Sequence, residues 1–148
     1  MKKIIAVTML SLLLLASYGC GANPKFKTQN EVTQNESQIQ FDPELAQKVK
    51  ESVKQIKGVQ DSTAVVVNKD IPVAIKVKGF DRLHLKSIRQ DVQKVIKGSN
   101  KDYSVYVTSD KKIFAQLLQI EKKITDQEVQ SKTDIMARIK KIIKDMQG

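Results

Sequence analysis

Cys20 is the only cysteine of the 148-residue chain, and His84 is the only histidine. One thiol makes no intramolecular disulfide, and one thiol with one imidazole does not supply a soft metal site. A Ser–His or Cys–His nucleophile pair would rest on His84 alone. That residue sits in "DRLHLK", where it reads as a partly exposed polar residue in the first turn of a helix. The carboxylates are scattered. Asp42, Asp81 and Asp110 each precede an apolar periodic run and read as helix caps, and Asp61 and Asp70 flank a strand. No carboxylate pair has the setting of a glycosidase or a calcium loop, and no glycine-rich phosphate loop is present. The residue types therefore point away from an enzyme. They imply no cofactor beyond a group covalently attached to Cys20.

The setting of Cys20 says what that group is. "MKK" is a basic n-region, and "IIAVTMLSLLLLAS" is an apolar run of 14 residues. That run is too short to span a bilayer and matches a signal peptide. It ends in "ASYGC", which looks like a bacterial lipobox, with Gly19 before the cleaved bond. Ordinary cleavage after Ser17-Tyr18-Gly19 is the competing reading, and it would leave an unexplained free thiol. A diacylglyceryl group on Cys20, with acyl chains of the palmitate type, accounts for the lone cysteine at this spot. Two acyl chains hold a protein stably on a membrane where one is marginal.

Charge sets the partners. Lys and Arg number 26 against 16 Asp and Glu, a formal net of +10; without Lys2 and Lys3 of the export segment the remainder carries +8. Such a chain is drawn to anionic lipid or wall polymers. Nucleic acid is not expected, because the cations are nearly all Lys and are not interleaved with aromatic residues. Lys94, Lys97 and Lys101 form a local positive group near a helix end, where they also offset the helix dipole.

These features must be carried by a folded domain. Residues 21–40 are rich in Gln, Asn, Thr and Ser without periodicity, and read as a tether of roughly 25 Å average span. "FDPELAQKVKESVKQIKG" predicts a helix capped by Asp42, with Pro43 at its first position and Gly58 at its end. Two strands follow, about Asp61–Val67 and Val73–Lys78, joined at "NKD". In the second, Val73, Ile75 and Val77 face a core, while Ala74, Lys76 and Lys78 face water. A helix capped by Asp81 and ended by Gly98 comes next, then a strand over "KDYSVYVTS", then a helix from Asp110. The expectation is a small α+β two-layer sandwich of α-β-β-α-β-α-α order, a three-stranded sheet with helices on one face. A last amphipathic helix places Ile135, Ile139, Ile142 and Met146 on one side and lysines on the other. An ordinary packed helix is favoured there over an interfacial one, and Lys140, Lys141 and Lys144 are the candidate contacts to an anionic surface. The chain divides into residues 1–19 as signal peptide, 20–40 as lipidated cysteine and tether, 41–124 as the α+β domain, and 125–148 as the C-terminal helix.

The core "IKGVQDSTAVVVNKDIPVAIKVKG…DVQKVIKGSNKDYSVYVTSDKKIFAQLLQI", behind a lipoprotein signal and a polar tether, resembles the YhcN/YlaJ family of sporulation lipoproteins. The resemblance covers about residues 44–124. It implies a non-enzymatic lipoprotein of the forespore or spore membrane, exported and anchored to the outer face of the cytoplasmic membrane. It also implies a part in germination or outgrowth and a protein partner in the spore envelope. The element order is also similar to the BON domain and to ring-building motifs of envelope complexes. A self-assembling subunit, or a general lipoprotein that binds anionic surfaces, is therefore the alternative.

Overall fold

The structure, a computed structural model, describes residues 38–148; Cys20, the export segment and most of the tether lie outside the described residues. The described chain runs α1 (Pro43–Lys54), β1 (Val59–Ala64), β2 (Asp70–Val77), a 3₁₀ turn (Phe80–His84), α2 (Leu85–Ser99), β3 (Ser104–Thr108), α3 (Lys111–Thr125) and α4 (Lys132–Gln147). The fold is α+β, with a mixed three-stranded sheet in the order β1-β2-β3. β1 and β2 are antiparallel, with Thr63 opposite Ala74. β2 and β3 are parallel, with Val73 opposite Val107. A parallel neighbour needs a crossover, and the 3₁₀ turn and α2 supply it.

Local chemistry starts the helices where the sequence placed two of them. Asp42 Oδ1 accepts the Leu45 N–H at 2.8 Å, and Pro43 opens α1. Asp110 Oδ1 accepts the Ile113 N–H at 2.8 Å and opens α3. Asp81 does not cap α2. The chain there winds first into the 3₁₀ turn, so α2 begins at Leu85 with no side-chain cap. Gly98 does not end α2 either; the helix runs through Ser99, and Asn100 closes it by donating its backbone and side-chain N–H groups to the Ile96 carbonyl.

The core has two halves, one on each face of the sheet. On the first face Val49, Val53, Val92 and Ile96 of α1 and α2 pack on Val73, Ile75 and Val105. This is the layer the sequence predicts. On the second face Phe114, Leu117, Ile139 and Ile142 of α3 and α4 pack on Val65, Val67 and Ala74. The expected two layers are therefore three, with helices on both faces. Ala74 is fully buried, not solvent-facing. Its small side chain leaves room for α3, and Lys76 keeps its ammonium at the surface, 4.2 Å from the centre of the Phe114 ring. α4 closes this second half through Ile135, Ile139 and Ile142.

Candidate functional site

The sheet gives the domain two ends. At one end the β1–β2 hairpin turns through Asn68 and Lys69, and Val67 and Asp70 exchange both backbone hydrogen bonds. Asn68 has φ 52°, a left-handed value that Asn tolerates. It also holds the incoming chain. Its N–H donates to the Gln40 carbonyl at 2.9 Å, and its Oδ1 accepts the Gln40 N–H at 3.0 Å. Phe41 bridges Val67, and the Asp42 N–H donates to Val66 O. The segment leading from the tether is thus fixed along the edge of the sheet beside the hairpin.

Beside it, α1 and α3 reach across the β1 edge toward each other. Lys50 and Glu121 form a salt bridge with side chains only 17% and 15% exposed, and the fully buried Thr63 donates its hydroxyl to the other Glu121 oxygen. A groove of about 290 Å³ lies next to this clamp, walled by Pro43, Ala46, Ala64, Val66 and Ile124. Its one buried-side charge, Glu121, is already engaged, so the groove offers an apolar surface with no free reactive group of its own.

At the opposite end the 3₁₀ turn stands out from the molecule. Phe80 is 96% exposed and Leu83 92% exposed. Lys78, Arg82 and Lys86 around them are exposed as well. The turn is held from beneath. The Lys78 N–H donates to Gly58 O at 3.1 Å, and the Asp81 N–H donates to Lys78 O at 3.1 Å. Asp81 is folded inward against Gly58, and Ile88 packs against the same glycine.

The side chains singled out from the sequence are dispersed. His84 is exposed at the end of the 3₁₀ turn. Lys94 and Lys97 line a shallow surface on α2 with Gln90 and Gln93. Lys140, Lys141 and Lys144 are exposed on α4, whose apolar face is spent in the core, so they offer charge without an accompanying apolar stripe. Among the described residues no three His, Cys, Asp or Glu side chains converge on a metal-sized site. No described helix is long and apolar enough to cross a membrane. Sequence reasoning missed the Phe80–Leu83 prominence. Its signal was two apolar residues three apart, outside the Leu85–Ile88–Val92 stripe of α2. It also missed the Lys50–Glu121 clamp, whose partners are 71 residues apart and carry no local signal.

The family model for the sporulation lipoprotein YhcN/YlaJ matches residues 18–147. The chain belongs to this family. No curated protein is significantly similar to it. The YhcN/YlaJ match begins two residues before Cys20 and runs through α4, so the last helix falls inside the family's extent. Membership in a family of sporulation lipoproteins implies an exported chain anchored to a membrane, and the family description names no catalytic activity.

Proposed function

We propose that this YhcN/YlaJ protein is a non-enzymatic adaptor or structural component of the spore membrane, held there by acyl chains on Cys20 and acting in germination or outgrowth. The family match reaching back through Cys20 carries this reading. The described carboxylates support it, because those with clear contacts serve structure. Asp42 and Asp110 cap helices, Asp61 lies 3.7 Å from both Lys54 and Lys76, and Glu121 joins α1 to α3. The anchor confines the domain to a thin layer of the envelope, where even weak contacts to a protein partner act at high effective concentration. Lys140, Lys141 and Lys144 add attraction to anionic lipid or wall polymer. Assembly through the β1 edge has less support, since the incoming segment pairs at Val67 just beyond β1 and the Lys50–Glu121 clamp meets the strand at Thr63.

The test is a deletion in the native host, complemented by the intact gene or by a Cys20→Ala copy. Spores of the deletion strain and of the Cys20→Ala strain should both germinate or grow out slowly, with rescue by the intact gene alone. Normal germination and outgrowth in the deletion strain would refute the role.

A further inference from the structure

The turn between β2 and α2 is shaped for a medium that neither groove nor clamp addresses. In a 3₁₀ helix residues three apart lie above one another, so Phe80 and Leu83 project on the same side. Both are nearly fully exposed. The turn stands clear of the domain: a Cβ built on the preceding Gly79 would meet nothing within 4 Å. The residues flanking the apolar pair are Lys78, Arg82 and Lys86, all exposed, and the one acid among them, Asp81, is turned inward against Gly58. Single exposed apolar residues are ordinary, but an adjacent aromatic–aliphatic pair at a fixed prominence is not.

We propose that the Phe80–Leu83 turn is a second membrane contact, inserting its two apolar side chains among the headgroups of an anionic bilayer while Lys78, Arg82 and Lys86 pair with lipid phosphates. Charge complementarity favours lipid over a protein partner. Three exposed cations stand against the single acid of the turn, Asp81, and a five-residue convex turn buries far less than the roughly 800 Å² per partner of a specific protein interface. A soft surface accepts such a shape without a matching pocket. The anchor geometry permits it. The chain enters at the hairpin end, and β2 spans roughly 23 Å to the turn at about 3.3 Å per residue. The residues from Cys20 to Ile39 reach at most roughly 65 Å when extended. A domain tethered at one end can therefore lay its other end on the same bilayer. The inference rests on membrane attachment of the chain but not on its role in the spore.

The test uses the mature chain, residues 20–148, with Cys20→Ala so that no acyl chain contributes. Co-sedimentation with phosphatidylglycerol–cardiolipin vesicles is compared with phosphatidylcholine vesicles. The chain should bind the anionic vesicles and not the neutral ones. Phe80→Ser with Leu83→Ser should weaken binding by at least about tenfold, given the transfer free energy of two such side chains, without changing the melting curve. The chain has no Trp, so Phe80→Trp supplies a single emission probe, which should shift to the blue on anionic vesicles. Binding unchanged in the double variant, an unshifted Trp, or a concentration-dependent dimer that the double variant abolishes without vesicle binding would each overturn the proposal. Cys20 acylation is read separately by detergent partition, so failure of this contact and failure of the anchor are distinguishable.

Discussion

Gly58→Ala tests how the 3₁₀ turn is seated on the domain. Gly58 has φ +92°, where a side chain is strained. A Cβ there would sit 2.8 Å from Ile88 Cδ1, 3.2 Å from Asp81 Cβ and 3.3 Å from Asp81 Cγ. The backbone term alone costs about 1–3 kcal/mol. Displacing Ile88, one of the buried residues of α2, adds about 1 kcal/mol of overpacking, kept low because Cδ1 ends a flexible chain. The expected loss is about 2–4 kcal/mol, which in a domain of this size lowers the melting temperature by roughly 10–20 °C. Urea and thermal melts of the mature chain followed by circular dichroism would measure it. Gly98→Ala is the internal control. Gly98 lies within α2, and a Cβ there meets nothing within 4 Å. That change should stabilise by a few tenths to about 1 kcal/mol. A loss under about 0.5 kcal/mol at Gly58, or destabilisation at Gly98, would refute the reasoning that the turn is seated on a bare glycine.

Two further outcomes follow from the same packing. Glu121→Ala strands Lys50 and the buried Thr63 hydroxyl, and should cost about 1–3 kcal/mol in urea denaturation, below the loss for a fully buried pair because both charged side chains keep some water. Glu121→Gln should lose less, since its side-chain oxygen still accepts from Thr63. Asp110→Ala removes a cap bond and should cost about 1 kcal/mol, whereas Asp81→Ala, which removes none, should stay within about 0.5 kcal/mol; equal losses would contradict the 3₁₀ start of the crossover.

The helices and the first core face were legible because their signals are local. Asp42-Pro43 and Asp110 cap by side chains three residues from their partners, and Val73-Ile75-Val77 alternates as a one-sided strand must. The second face was not, because Ala74-Lys76-Lys78 reads as a wet strand face unless the partner helix is known. The Phe114 ring lying against Lys76 depends on a contact made far along the chain. β1 also differs from expectation. Its ladder covers Val59–Ala64, with Asp61 opposite Lys76 and a bulge at its start, while Val65 and Val67 go on bonding to Pro72 and Asp70, and Val66 and Val67 also pair with the incoming segment at Asp42 and Phe41. The turn at Phe80 was hidden for a different reason. Asp81 ahead of an apolar stripe is what a cap looks like in sequence, and only the backbone path distinguishes a capped helix from a 3₁₀ turn that turns the aspartate inward.

In the proposed function the domain works from a membrane through Cys20. The most direct measurement is detergent-phase partition of the tagged native chain and of its Cys20→Ala variant, from growing cells, sporulating cells and purified spores. The native chain should enter the detergent phase and the spore membrane fraction, and the variant should leave both. A variant that stays in the membrane fraction, or a native chain found in the medium or confined to growing cells, would contradict it.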